Sequence, residues 1–193
     1  MTSTLTVDTI QGSTNADNVK LPKGCVVQVE STTVTTGNTS VGHDHSVNGN
    51  NFSGIPGMEV TITPKYATSK ILVTYSLTCS SSSGQSVIIR LVRDSTPINV
   101  GTDGEAPGVD KKLNASHVYR TGSFNYEYDA SNICGTFLDS PATTSPTTYK
   151  LQFTGGTDGS YVYVLNLNRT RVNNNYNYSP CLVSGITVME IAQ

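Results

Sequence analysis

Charged residues are scarce in this chain. They make up 13% of its 193 residues, against about 25% in an ordinary soluble domain. The 12 basic and 14 acidic residues leave a formal net charge of −2, and Lys and Arg form no run anywhere. Since binding to nucleic acid depends largely on such residues neutralising phosphates, we expect no nucleic-acid partner.

Long apolar runs are also missing. No stretch approaches the roughly 18 apolar residues that a membrane-spanning helix needs, so we expect no membrane partner. The opening residues, MTSTLTVDTIQGS, have neither the basic start nor the apolar middle of a signal peptide. We therefore expect that the protein is not secreted by the classical route.

The cysteines carry no redox or zinc motif, because no two of them form a C-x-x-C pair. They are Cys25, Cys79, Cys134 and Cys181. Their even number permits two disulfides. Without a secretion signal we favour reduced and mostly buried thiols.

Helical periodicity is nearly absent, and alternation of apolar and polar residues takes its place. Met58, Val60 and Ile62, for example, alternate with Glu59, Thr61 and Thr63. Short strands of this kind recur at roughly ten-residue spacing, separated by Gly, Ser and Pro. The pattern predicts an all-β protein, specifically an antiparallel β-sandwich with a jelly-roll-like topology.

One strand pairing is predicted from chain proximity. A strand over residues 71–79 is followed by a Ser-rich turn at 80–84, and a strand over 87–93 then reads as its hairpin partner. Near the C-terminus, SYVYVLNLNR and SGITVMEIA form a final pair of strands.

Residues 1–55 differ from the rest, having short apolar pieces in a Thr-, Asn- and Gly-rich background. Such a segment cannot bury enough surface by itself to offset its ordering entropy. It requires a partner: the sandwich, neighbouring copies, or a larger assembly. We therefore divide the chain into an extended N-terminal attachment and oligomerisation segment, 1–55, and a sandwich head domain, 56–193.

Several segments resemble known proteins. The leader LTVDTIQG with VKLPKG, the body segments ITPKYATSKILV and FLDSPATTSPTTYKLQF, and the terminal ITVMEIA are similar to tail-fibre-like or virion structural proteins of marine cyanophages and related tailed phages. The resemblance implies a homotrimeric, β-rich appendage with its N-terminus attached to other virion proteins and its head exposed. The attachment residues would be Leu5, Val7, Ile10, Leu21 and Pro22.

The composition agrees with this resemblance. Virion proteins assemble in the reducing host cytoplasm without a signal peptide, and a homotrimer supplies missing core by burying β surfaces between copies. The predicted function is a non-enzymatic tail fibre or fibre-like appendage that contributes to host attachment. Two alternatives remain: a decoration or cement protein on the phage head, and a bacterial carbohydrate-binding module.

A metal site is conceivable at His43 and His45, which flank Asp44. On an extended strand, positions i and i+2 project to one face. Around a trimer axis, two histidines per chain would give six imidazole nitrogens, an octahedral set for Fe or another transition metal. The alternative, favoured by the surrounding Gly and Asn residues, is a pair of solvated loop histidines.

No hydrolase constellation is found, because the sequence has no G-x-S-x-G elbow. His117 lies in a strand-like SHVYR context, where a packed histidine is the simpler interpretation. Asp103, Glu105 and Asp110 match no calcium-loop spacing and are interpreted as a solvated acidic loop. We predict no enzymatic activity and no catalytic residues.

The segment around residues 169–179 has the composition of a recognition loop. Tyr supplies rigid amphipathic rings, and Asn and Ser supply adaptable hydrogen bonds. The candidate receptor-binding residues, with a host-surface glycan as ligand, are Arg169, Arg171, Asn175, Tyr176, Asn177 and Tyr178. The alternative is a long hairpin tip whose tyrosines cover the sandwich edge or a subunit interface.

Overall fold

The computed structural model describes residues 21–37, 40–44, 52–81, 87–101, 116–118, 127–155, 162–177 and 179–193. Within these ranges the chain forms strands and no helix, so no helix there could cross a membrane. The strands are β1 (Val26–Val34), β2 (Ser40–Asp44), β3 (Ser53–Ile62), β4 (Lys70–Ser81), β5 (Val87–Arg93), β6 (Thr96–Ile98), β7 (Ser116–Val118), β8 (Ser131–Asp139), β9 (Thr147–Gly155), β10 (Val162–Leu167) and β11 (Ser184–Ile191).

The first sheet is built around β4. Strand β8 pairs with one edge of β4 over residues 71–79. The opposite edge pairs with β11 over residues 70–76 and then with β10 over residues 79–81. Strands β11 and β10 therefore lie end to end beside β4. Strand β1 flanks β11, and β2 flanks β10.

The second sheet has the order β3-β9-β5-β6, and β7 also pairs with β5. Like those of the first sheet, its pairings are antiparallel. One apolar core lies between the two sheets. Its largest fully buried side chains come from both sheets: Tyr149, Phe153, Met58, Ile62, Ile71, Leu77, Ile89, Leu91, Leu151, Leu165, Leu167 and Ile186.

The predicted all-β sandwich is confirmed. Met58, Val60 and Ile62 are buried on β3, and the alternate residues Glu59 and Thr61 are exposed, because period-two alternation places one set of side chains between the sheets. The jelly-roll-like topology stays a prediction.

The predicted hairpin between residues 71–79 and 87–93 is wrong. Strand β4 belongs to the first sheet, whereas β5 belongs to the second and pairs with β9, β6 and β7. The segment between β4 and β5 thus connects the two sheets. Strand β5 is also apolar on both faces: Ile88 and Val92 are buried like Ile89 and Leu91.

The N-terminal segment contributes to the sandwich. Strands β1 and β2 lie in the first sheet, and the predicted boundary between residues 55 and 56 falls inside β3. For residues 26–34 and 40–44, the partner that this segment requires is the sandwich itself. Residues 1–20, with Leu5, Val7 and Ile10, lie outside the described residues.

The carboxylate of Glu190 is buried beside β1. Both oxygens of Glu190 are bonded: Oε1 accepts the amide N–H groups of Lys65 and Tyr66 at 2.9 and 3.1 Å, and Oε2 accepts Gln28 Nε2 at 2.6 Å. Desolvation alone would raise the pKa of Glu190, but the hydrogen bonds outweigh it and hold the pKa below its usual range. Glu190 therefore ties the β3–β4 connection to β1 and β11.

A second carboxylate lies on the other side of Ile71 in the same cross-strand row, at Asp139. Arg93 Nη1 donates to both of its oxygens, at 2.9 and 2.7 Å, and the Tyr149 hydroxyl donates to Oδ2 at 2.7 Å. The hydrogen bond to Asp139 raises the pKa of Arg93, and burial followed by the same carboxylate raises that of Tyr149. These contacts join β8 of the first sheet to β5 and β9 of the second.

Replacing Glu190 with glutamine is expected to lower the free energy of unfolding at neutral pH by about 1–3 kcal/mol, because hydrogen bonds to a charged acceptor are lost. The depressed pKa makes this contribution fully present above the unfolded-state value of about 4.3, and it disappears as the pH falls through the lower folded-state pKa. Urea unfolding of both proteins as a function of pH should therefore show stabilities that converge in acid. A difference that stays constant down to pH 3 or grows there would contradict this account.

Candidate functional site

The candidate recognition segment leaves the first sheet through the break between β10 and β11. Strands β10 and β11 both run antiparallel to β4 along the same edge, and residues 168–183 between them, here called the excursion, loop out and return to that edge. The N–H of Asn168 donates to Thr78 O at 2.9 Å, and the N–H of Thr78 donates to Ser184 Oγ at 2.8 Å. The β4 backbone is thus satisfied across the break, and β10 and β11 do not form a hairpin.

Asn168 holds the two ends of the excursion together. It is fully buried and has a φ of 56°, a left-handed conformation that Asn tolerates better than most residues. Its Nδ2 donates to Val34 O at the end of β1 at 2.6 Å, and its Oδ1 accepts from Ser184 Oγ at 2.5 Å. Its backbone oxygen accepts from the N–H of Leu182 at 2.9 Å.

Gly37 permits the close approach of the β1–β2 connection to this junction. A Cβ at position 37 would lie 2.9 Å from Asn168 O, which is closer than real Cβ atoms come to such an atom. Beside it is a shallow cavity of about 220 Å³, lined by Thr36, Gly37, Arg169, Asn173 and Cys181. The base of the excursion therefore packs directly on the connection that follows β1.

Arg169 is half-buried and bonds to the excursion's own backbone. Its Nη1 donates to the carbonyls of Thr170 and Arg171 at 3.3 and 3.2 Å, and its Nη2 donates to Asn166 Oδ1 at 3.0 Å. Arg171 is half-buried as well. Of the residues predicted to bind a receptor, these two thus lie at the base of the excursion, and Arg169 has a clear positioning role there.

The tip is fixed by polar contacts. Ser179 Oγ lies 2.7 Å from Asn174 Oδ1, and the Ser179 N–H donates to Tyr176 O at 3.0 Å. The tip also contacts the turn before β8, where the Val172 N–H donates to Glu127 O at 3.0 Å and Asn174 Nδ2 donates to the Tyr128 hydroxyl at 3.3 Å. The backbone of residues 172–179 is therefore anchored at several points.

The anchored tip presents one exposed aromatic ring among amides. Tyr176 is 58% exposed, and Asn173, Asn175 and Asn177 are exposed around it. Tyr178 lies outside the described residues. A ring of this kind can stack on an apolar sugar face, and neighbouring amides can bond to sugar hydroxyls. The structure thus brings Asn175, Tyr176 and Asn177 together at the surface.

Several residues that build this site were not found by sequence reasoning. Thr78 and Ser184 complete the ladder across the break, and Asn168 joins its ends. The one available signal was Asn168 itself, because an Asn directly after a strand is a common left-handed residue. Its long-range partners could not be predicted.

The predicted metal site cannot be assembled from the described residues. His43 lies in β2, where its backbone pairs with Tyr163, and His45 lies outside the described residues. Among the residues that the structure describes, no group of three potential ligands could hold a metal ion.

His117 lies in β7, as its context predicts, and its backbone pairs with Ile88. The acidic loop of Asp103, Glu105 and Asp110 is outside the described residues.

All four cysteines are free, as expected, but the prediction that they are mostly buried is wrong. Cys79 is buried and Cys25 is half-buried, whereas Cys134 and Cys181 are exposed. Cys134 is exposed because its side chain lies on the outer face of β8, on the alternate positions to Ile133. Cys181 belongs to the excursion.

The attachment residues that are described lie where the chain enters the sandwich. Leu21 is 39% exposed, and Pro22 O accepts the Cys25 N–H at 3.1 Å in a turn. The Gly24 N–H then donates to Ala192 O at 2.8 Å. The N-terminal entry therefore lies beside the C-terminus, at the opposite end of β11 from the excursion.

No protein-family model matches the chain, and no curated protein matches it significantly. What the geometry offers is an exposed, aromatic and amide-rich tip on a fixed base.

Proposed function

We propose that the protein is a non-enzymatic virion component of a tailed phage, a homotrimeric surface appendage of the tail-fibre type that contributes to host attachment. The observation that carries this proposal is the excursion, whose tip exposes Tyr176 and three asparagines on an anchored backbone. A loop fixed before binding loses little conformational entropy when it meets a ligand. The proposed ligand is a glycan on the host surface.

The geometry of the chain suits an appendage that is attached at one end. The leader enters beside Ala192 at one end of β11, and the excursion departs beside Ser184 at the other. Strand β11 spans eight residues, which corresponds to about 26 Å at the usual rise of a strand. An N-terminal segment bound to the virion would thus leave the excursion at the far end of β11.

Immunogold labelling of intact particles with an antibody against the sandwich tests the location. We expect label at the tail or its fibres. Label over the whole head surface would instead favour the decoration-protein alternative, and absence from particles would overturn the virion assignment altogether.

Replacing Tyr176 with alanine is expected to weaken binding of the purified protein to host cells by about ten-fold or more, since aromatic anchors dominate recognition surfaces. Stability should change by no more than about 0.5 kcal/mol, because the side chain is largely exposed. Binding of fluorescently labelled protein to cells, with thermal unfolding in parallel, measures both quantities.

Tyr176→Phe is the matched control, because it keeps the ring and removes only the hydroxyl. Binding that survives in the phenylalanine variant and is lost in the alanine variant would assign recognition to ring stacking. Unchanged binding in Tyr176→Ala would remove the receptor-binding role of the tip.

A further inference from the structure

The outer face of the first sheet carries three cross-strand rows of uncharged side chains. Each row takes one residue from β1, β11, β4 and β8 in that order. The rows are Val29, Met189, Leu72 and Leu138; Ser31, Thr187, Thr74 and Thr136; and Thr33, Gly185, Ser76 and Cys134. We call these twelve residues the row face.

The row face is open to solvent in the single chain. None of its twelve residues is buried, and the two at the ends of the apolar row, Val29 and Leu138, are 51% and 48% exposed. The row beyond them holds Val26, Ile191 and Lys70. A charge thus first appears at the border of the face, as at the rim of a protein interface.

The chemistry of the row face suits contact with another copy of itself. A hydroxyl both donates and accepts a hydrogen bond, so a row of four hydroxyls can bond to the same row on another copy, and the apolar row beside it is equally self-complementary. An aromatic ring on which a sugar can stack is a common glycan platform, and nucleic acid requires Lys or Arg to neutralise its phosphates. The twelve residues include neither.

We propose that the row face is the surface through which three copies of this chain contact one another, an inference that rests on the homotrimer of the proposed function. Placing it around a shared axis removes Val29, Leu72, Met189 and Leu138 from water. The excursion leaves the sheet between β10 and β11, beyond the last of these rows, and bonds to Glu127 and Tyr128 before β8, so in the trimer it lies at one end of the row face.

The mass of the purified protein, measured by light scattering after size-exclusion chromatography, is expected to be about 62 kDa, three times the chain mass of 20.5 kDa. Leu138→Arg and, independently, Val29→Arg should give folded monomers, because a buried and unpaired charge disfavours association. Circular dichroism checks that each variant keeps its strands. Two variants on opposite edge strands guard against one that fails to fold.

Tyr176→Arg is the matched control, since it introduces the same charge at a residue that is 58% exposed on the excursion, away from the row face, and should remain trimeric. A monomeric wild type would overturn the proposal. So would a folded Leu138→Arg or Val29→Arg variant that stays trimeric.

The two exposed cysteines give a second test, in the wild-type protein and in Leu138→Arg. Cys134 lies on the row face and Cys181 on the excursion, and both are exposed in the single chain. In the trimer, alkylation of Cys134 by iodoacetamide should be about ten-fold or more slower than that of Cys181, because only an accessible thiol reacts. In Leu138→Arg the Cys134 rate should rise while the Cys181 rate stays the same. Equal rates in the wild type would contradict burial of the row face.

These measurements are independent of where the protein acts. A trimer assembled through the row face, together with absence of label from phage particles, would overturn the virion function and leave the interface intact. Label on particles with a row face that stays accessible would do the reverse.

Discussion

Replacing Asn168 with alanine is expected to lower the free energy of unfolding by about 3–5 kcal/mol. The half-buried Val34 O loses a hydrogen bond at a cost of about 1 kcal/mol, and the buried Ser184 hydroxyl loses one at a cost of about 1–3 kcal/mol. Alanine in the left-handed conformation adds about 1 kcal/mol. Urea unfolding at matched protein concentration measures the loss, the concentration being fixed because association and folding are linked.

Asn168→Gly separates the two causes. Glycine adopts a φ of 56° without strain. The glycine variant also lacks both side-chain bonds, so its free energy of unfolding should exceed that of the alanine variant only by the strain, about 1 kcal/mol. Asn177→Ala, at an exposed position of the same excursion, should change stability by less than about 0.5 kcal/mol. If Asn168→Ala unfolded at the same urea concentration as Asn177→Ala, the bonds of Asn168 would not stabilise the two ends of the excursion.

Replacing Asp139 with alanine is expected to cost about 3–5 kcal/mol, because it leaves a positive charge and a phenol without their buried partner. The side chain of Asp139 is 8% exposed and that of Arg93 is 27% exposed. Arg93 can therefore recover some hydration, which favours the lower end of that range. The same urea measurement applies, and the loss should appear in the unfolding midpoint with little change in the slope.

Tyr149→Phe and Arg93→Met measure separately how much each partner of Asp139 contributes to the free energy of unfolding. The phenylalanine variant loses only the hydroxyl's bond to Asp139 and should be destabilised by about 1–3 kcal/mol. The methionine variant keeps an apolar stem but leaves Asp139 with the tyrosine alone, so its loss should be larger than that of Tyr149→Phe. An Asp139→Ala variant no less stable than Tyr149→Phe would show that the Arg93 contact contributes nothing measurable.

The strands themselves could be predicted because burial between two sheets imposes period two. Met58, Val60 and Ile62 on β3 show this directly. The sheet to which a strand belongs could not be predicted in the same way. The apolar sequence of residues 87–93 is the same whether β5 pairs with β4 or crosses to β9, and the crossing depends on contacts with residues about 60 positions away.

In the candidate site, too, one part could be predicted from the sequence and another could not. Composition predicted the tip, since Tyr and Asn cluster at 173–178 and the described part of that cluster is exposed apart from the half-buried Asn174. The base is made by Thr78, Val34 and Ser184, which lie far from Asn168 in sequence or on the other side of the loop. Arg169, whose charge suggested ligand binding, instead bonds to backbone carbonyls.

The break between β10 and β11 has a consequence for how this protein can diversify. Its two ends are joined by the Leu182–Asn168 and Ser184–Asn168 bonds, and the β4 ladder is complete without the loop, so the length and sequence of residues 171–180 can change while the sheet keeps its register. Insertions at such exposed tips are thermodynamically cheap, each doubling of loop length costing only about 0.6 kcal/mol. The segment can therefore be exchanged as a unit, and grafting a foreign peptide between Thr170 and Cys181 would make the sandwich a display scaffold.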